Sequence, residues 1–183
     1  MSSILNTNDS LLLIIDIQEK LLNAQYNKEA VLKNIQIMAE AAKILDIPII
    51  TTEQYPKGLG HTMEAVKEKL PENTKFFEKT DFGGCAAEGF NALLESFGKT
   101  QIMVCGMESH VCVHQTVNEL LKIGYAVYLI EDAITSRKEW DYNQGISRMA
   151  FDGAVPSSTE MALFELLKCA KHPKFKEVQS LIK

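Results

Sequence analysis

Asp16, Lys79 and Cys112 are the residues of this 183-residue sequence whose types and placement suit nucleophilic acyl chemistry. A thiolate attacks a carbonyl carbon, a neighbouring carboxylate accepts the thiol proton, and an ammonium holds the two in register. Cys112 lies six residues past Gly106, where a helix is expected to open. The N-terminus of a helix offers unpaired N–H groups and a positive dipole end, which are expected to lower a thiol pKa and to stabilise an oxyanion. The same residues admit a plainer reading. Carboxylates commonly end strands, a lysine at 79 suits a solvated surface, and a cysteine at 112 suits a small core position. His110 and His114 raise a Cys–His dyad or a metal site as further alternatives. On a helix, however, positions 110 and 114 share a face while 112 points away, so the histidines are expected to flank the helix start.

The elements that would position these groups alternate along the chain. Leu11 to Ile17 is a nearly continuous aliphatic run ending in a carboxylate, the pattern of a strand buried on both faces. Helical spacing of Val31, Leu32, Ile35, Met38, Ala39 and Ala42 predicts a helix over 29–45, ended by Asp46 and Pro48, with a strand over 47–52. Residues 53–60, with one proline and two glycines, read as a loop, followed by a short helix over 63–70 and a strand over 75–78 leading to Lys79. A helix over 86–97 with Gly98 as its C-cap, a buried strand over 101–105, a helix containing Cys112 and a strand over 125–130 come next. Helices over 139–151 and 158–170 flank a short strand at 154–156, and residues 172–183 add a terminal helix. Repeated strand–helix units predict a doubly wound α/β domain, a mostly parallel sheet with helices on both faces, and in such sheets ligands bind at the carboxyl ends of the strands.

Composition narrows the function class. With 46% hydrophobic and 23% charged residues, and no repeat or linker, residues 1–183 read as a single domain. The formal charge of −5, with both signs interspersed, lacks the basic face that nucleic acid requires. No apolar run is long enough to span a bilayer. Residues 1–10 lack the order of a signal peptide, so a cytoplasmic protein is expected. Four cysteines with no CxxC pair form no disulfide framework, and Cys85, Cys105 and Cys169 read as structural. Gly83-Gly84 lacks the rest of a phosphate loop, so nucleotide binding is unsupported. Asp132 is expected to cap or solvate the loop after its strand. Trp140 and Tyr142 either anchor a subunit interface or cover the sheet.

Asp16-Ile17-Gln18 after an aliphatic strand, then Lys79, then Gly106-Met107-Glu108-Ser109-His110-Val111-Cys112-Val113 resembles the isochorismatase-like cysteine hydrolase superfamily over essentially the whole chain. Residues 52–60 (TEQYPKGLG), 106–113 and 172–177 (HPKFKE) look closer still to the isochorismatase domain-containing subgroup, whose substrates are largely unassigned. The resemblance implies a three-layer α/β/α fold, Cys112 as nucleophile, Asp16 as general base and Lys79 as the cationic partner. It also implies a cis peptide at Met107–Glu108 that aims backbone N–H groups at an oxyanion, and a homo-oligomer, often a dimer or tetramer. Gln18, Glu53, Tyr55 and Phe82 are candidate pocket residues.

Departures from the pattern are informative. Nicotinamidases of this superfamily carry an Asp-x-His-x-His-type metal site after the second strand. Here residues 53–61 hold only His61, so a two-histidine site is absent and no metal or organic cofactor is expected, although Glu53 and His61 remain possible ligands. Leu21 and Leu22 stand where the family often has an aromatic residue. Glu108 places a carboxylate where small residues are frequent, which would disfavour anionic substrates or select an amine. Isochorismatase itself cleaves a vinyl ether in a branch that need not use cysteine, so the reaction type rests on Cys112. The expected activity is hydrolysis of a small amide or related carbonyl compound. The competing expectation is a non-catalytic small-molecule-binding or interaction module on the same fold.

Overall fold

The aliphatic run near the N-terminus forms β1 (Ser10–Ile15), buried along its whole length. Its side chains alternate between two hydrophobic clusters, Leu12 and Ile14 on one face and Leu11, Leu13 and Ile15 on the other. Burial on both faces is why this strand reads as continuous hydrophobics rather than as an alternation with polar residues. The computed structural model describes residues 4–183, so Met1–Ser3, part of the segment read for a leader, lie outside the described residues.

Six strands form one sheet in the order β3-β2-β1-β4-β5-β6, all parallel. The others are β2 (Ile49–Gln54), β3 (Lys75–Lys79), β4 (Gln101–Met107), β5 (Ala126–Thr135) and β6 (Val155–Ser157). One face is covered by α2 (Lys28–Ile44), α4 (Glu64–Lys67), α8 (Thr159–Leu167) and α9 (Phe175–Ser180). The other is covered by α5 (Phe90–Glu95), α6 (Cys112–Lys122) and α7 (Glu139–Phe151). This is the expected three-layer doubly wound architecture. The strand order reverses between β1 and β4, and in doubly wound sheets ligands bind beyond the carboxyl ends of the strands at such a point.

Several elements differ from expectation for local reasons. Two short helices, α1 (Glu19–Leu22) and α3 (Pro56–Leu59), occupy segments without helical periodicity, and proline at the first position of α3 favours its turn. The helix expected over 86–97 is reduced to α5, because Gly89 at φ +88° starts it late and it ends at Ser96, before Gly98. β5 extends to Thr135, beyond the end expected at residue 130. Its register on β4 passes from Val104–Leu129 to Gly106–Ile134, so β5 bulges and then resumes pairing. The bulge frees Asp132 to cap α8, with Oδ1 accepting the Thr159 N–H at 2.8 Å and hydroxyl at 2.9 Å. Cys105 is in the core and Cys85 is half-buried, but Cys169 is exposed beyond the end of α8 and is not a packing residue. Trp140 is 72% exposed, whereas Tyr142 packs against the α6-side cluster and donates to the Glu131 carbonyl at 3.0 Å.

Candidate active site

Strand register sets the site. Ile15 pairs with both Thr52 and Gly106, and Gln54 pairs with Lys79, so β3, β2, β1 and β4 end along one edge. Asp16 turns out of β1 at φ +54°, and Lys79 is the last residue of β3. β4 enters this edge at Gly106 with φ +129°, where a Cβ would lie 2.1 Å from the Ile15 carbonyl oxygen. Only glycine fits there.

The Lys79 ammonium donates to Asp16 Oδ2 at 2.8 Å and to Gln54 Oε1 at 2.6 Å, with longer contacts to the carbonyls of Asp81 (3.2 Å) and Phe82 (3.4 Å). The other carboxylate oxygen of Asp16 accepts the Thr52 hydroxyl at 2.7 Å. Lys79 is thus no solvated lysine; its charge is buried and satisfied. Cys112, 4% exposed, is the first residue of α6, and the negative charge of Asp16 acts on its thiol. Asp16 and Lys79 meet as a buried ion pair, and Cys112 opens the helix that follows β4, the strand beside β1. The thiol pKa moves the other way from the expectation for a helix start. Burial pushes it up first, Asp16 and Glu108 add to the shift, and Lys79 opposes it, leaving it raised to about 12.

The segment joining β4 to α6 corrects a second expectation. Every peptide bond among the described residues is trans, including Met107–Glu108. The chain instead reverses at Glu108 in the left-handed region, φ +64°, and the Glu108 carbonyl accepts the N–H groups of Val111 (2.9 Å) and Val113 (3.2 Å). Among the described residues the Cys112 N–H has no backbone acceptor, as the start of a helix leaves it. The Met107 side chain is buried in the core away from the thiol, while the Glu108 carboxylate is held by Arg137 Nε at 2.8 Å.

The remaining candidates divide. Gln18 is wholly buried, and its amide is spent on the backbone of Gln54 and Gly60, so it braces the loop after β2 rather than facing a ligand. Glu53 is also committed: Oε1 accepts the Thr62 N–H and hydroxyl, both at 2.7 Å, and Oε2 faces His61 Nδ1 at 2.8 Å. Burial would raise its pKa, but the Thr62 and His61 contacts outweigh that and hold it below the ordinary carboxylate value. Glu53, His61 and Glu78 bring ligand atoms within 4.8 Å of one another, and a cation there would compete with the contact between His61 and Glu53. Tyr55 is exposed and lines a cavity of about 430 Å³ that opens beside Lys79, and Phe82 contributes its carbonyl to Lys79. The histidines do not converge on the thiol. His110 Nδ1 pairs with Ser136 Oγ at 2.9 Å and His114 Nε2 with the Asn118 amide at 2.9 Å.

Sequence reasoning missed four supporting residues. Thr52 and Gln54 stand at the polar end of an otherwise aliphatic strand, a signal that was available. Thr116 and Glu119 lie on α6 and hold the loop after β3, accepting the Gly84 N–H (2.9 Å) and the Cys85 N–H (2.9 Å). Nothing in the sequence linked those two segments.

A six-stranded parallel sheet between two helical layers, with Asp16 and Lys79 paired at its carboxyl edge, is the isochorismatase-like three-layer α/β/α fold. The chain belongs to that family: the Isochorismatase domain matches residues 10–161. It is 38% identical over 179 residues to isochorismatase domain-containing protein 2 of Danio rerio, covering 97% of this chain and 89% of the relative. Among solved structures it superposes on one described as the MAR1 ribonuclease of Caenorhabditis elegans, with TM-score 0.93, 38% identity and coverage of 98% and 92%. The Escherichia coli YcaC gene product, described as an octameric hydrolase of unknown specificity, shares the fold at TM-score 0.88 and 20% identity, with coverage of 100% and 96%.

Proposed function

We propose that the chain is a cysteine hydrolase, one domain over residues 1–183, acting on a small amide or related carbonyl compound. The carrying observation is the buried Asp16–Lys79 ion pair at 2.8 Å, with Cys112 opening the helix that follows the neighbouring strand β4 and its thiol under the influence of the Asp16 charge. Cys112 Sγ bonds to the carbonyl carbon while the thiol proton passes to Asp16, so the raised thiol pKa is met by transfer during attack. Lys79 and Thr52 keep the carboxylate in place. The tetrahedral oxyanion is stabilised by the free Cys112 N–H at the start of α6. Collapse breaks the C–N bond, and the leaving amine takes the proton from Asp16. Water, deprotonated by Asp16, then cleaves the thioester and restores the thiol. No metal or organic cofactor enters these steps.

The experiment is a screen of small neutral amides for ammonia release, with intact-mass detection of an acyl adduct on wild type and on Cys112→Ala. Turnover and adduct that both vanish in the variant support the reading. The near-complete burial of Cys112 favours the competing reading, a binding module; ligand retention by Cys112→Ala with no turnover by wild type would establish it instead. The C. elegans neighbour's description makes RNA a further substrate to include, although this chain's net charge of −5 disfavours it. We also propose a cytoplasmic homo-oligomer, dimeric or larger, in which the exposed Trp140 and Phe151 of α7 are covered by a second copy. The E. coli neighbour is described as an octamer, and light scattering on this chain tests the point. Among the described residues no helix is long and apolar enough to cross a membrane.

A further inference from the structure

The turn between β4 and α6 is fastened to the end of β5 residue by residue. The Ser109 N–H donates to the Thr135 carbonyl at 2.9 Å, and Arg137 Nε holds the Glu108 carboxylate at 2.8 Å. Between these, Ser136 Oγ lies 2.6 Å from Ser109 Oγ and 2.9 Å from His110 Nδ1. Both serines are wholly buried. α7 closes over them: a Cβ on Gly145 would stand 2.5 Å from the Ser109 carbonyl oxygen and 2.7 Å from its hydroxyl. What each member can donate sets the direction of this chain of hydrogen bonds. Ser109 Oγ also faces the carbonyl oxygens of Asp141 and Tyr142, both at 3.3 Å, and a carbonyl only accepts. The Ser109 hydrogen therefore points to α7, the Ser136 hydrogen goes to Ser109, and Ser136 accepts from His110. Nδ1 carries the proton. The reverse order would face the buried Ser109 oxygen to two carbonyl oxygens with no hydrogen between them.

Resting on the cysteine-hydrolase reading, we propose that Ser136 is a positioning residue for Cys112. Through a one-way chain from His110 Nδ1–H to Ser136, Ser109 and the first turn of α7, it holds Glu108 in the left-handed conformation from which α6 starts. Ser136 acts through that turn and touches no substrate. The Glu108 carbonyl takes the N–H groups of Val111 and Val113, which flank Cys112 and so set where its thiol and its N–H lie. Ser136, with only a lone pair left to offer, selects the Nδ1–H tautomer of His110 and leaves Nε2 unprotonated in the neutral ring. A free imidazole side chain in water favours the other tautomer, which makes His110 a reporter of the chain.

Two readouts test this without knowledge of the substrate. Long-range proton–nitrogen NMR of the imidazoles at alkaline pH is expected to show His110 protonated at Nδ1 in wild type and mainly at Nε2 in Ser136→Ala. Iodoacetamide labelling of Cys112 is measured by peptide mass spectrometry, with the exposed Cys169 as internal reference. Its rate is expected to rise several-fold in Ser136→Ala and in His110→Leu, because a loosened turn uncovers the buried thiol. His110→Asn, whose amide offers a donor near the place of Nδ1, is expected to restore the wild-type rate. A circular-dichroism melt on each variant confirms that the comparison is between folded proteins, and His110→Leu, at a half-buried position, carries the test if Ser136→Ala does not fold. An Nε2–H tautomer in wild type overturns the direction of the chain. A Cys112 rate unmoved by both Ser136→Ala and His110→Leu overturns the positioning role. Neither result depends on turnover, so both are distinct from failure of the hydrolase reading, which shows as an amide screen with no turnover and no adduct on wild type.

Discussion

Lys79 Nζ and Asp16 Oδ2, on strand ends that β2 separates, meet at 2.8 Å with their side chains 0% and 1% exposed. A charge pair so deeply removed from water is held only because its remaining hydrogen-bonding capacity is met, by Gln54 and two carbonyls on the lysine and by Thr52 on the aspartate.

Removing one partner therefore leaves a buried charge without its counterion. Lys79→Met is expected to destabilise the protein by about 3–5 kcal/mol, read by urea denaturation. Adding Asp16→Asn to Lys79→Met should recover most of that loss. A double variant no more stable than the single one would show that the pair is not the source of the effect.

Asp16→Asn alone should move two readouts in opposite directions. Loss of the adjacent negative charge, with Lys79 retained, lowers the Cys112 pKa from about 12, so the thiolate becomes more populated at a given pH. Iodoacetamide labelling of Cys112 at pH 8 is expected to rise by up to about tenfold for each unit of that fall. Turnover should drop by about 10²–10⁴-fold, because the proton acceptor is gone. In wild type, labelling should keep rising through pH 10 without a plateau. A plateau near neutral pH would mean that Cys112 rests as a thiolate.

The loop that carries two of the Lys79 acceptors is clamped by the helix that carries Cys112. Thr116 Oγ1 takes the Gly84 N–H, and Thr116 is fully buried. Thr116→Val, which keeps the shape and deletes the acceptor, should cost about 1–3 kcal/mol and lower turnover, while Thr116→Ser restores both. Equal losses in the valine and serine variants would point to packing rather than to the hydrogen bond.

Glu53 has a lowered pKa in the folded protein, so its contribution to stability has a definite sign with pH. A carboxylate whose folded pKa is depressed stabilises above its unfolded value and loses that contribution as pH falls through the folded one. Glu53→Gln is expected to cost about 1.5–3 kcal/mol at pH 7, and the gap between variant and wild type should close as pH falls below about 4.5. Chemical denaturation at pH 7 and pH 3.5 checks this; a gap independent of pH would remove the charge from the explanation.

The sequence by itself determined the architecture and singled out the three residues proposed to react. Continuous aliphatic runs such as Leu11–Ile15 specify strands covered on both faces, and helical periodicity specified α2, α6 and α7 almost to their ends, because both signals are local and repeat along the chain. Polar residues at the ends of such runs, Asp16 and Lys79 among them, are legible for the same reason. Tertiary structure decided the rest. The left-handed turn at Glu108, where a cis bond was expected, and the bulge in β5 depend on Gly106 pressed against Ile15 and on Asp132 reaching α8. The support from Thr52, Gln54 and Thr116, and the commitment of Gln18 and Glu53 to their loop, depend on segments far apart in sequence. So does the direction of the Cys112 pKa shift. The dipole of its helix is a local feature that favours the thiolate, but burial and the Asp16 carboxylate are imposed by the packed strands, and at short range in a low-dielectric interior they win.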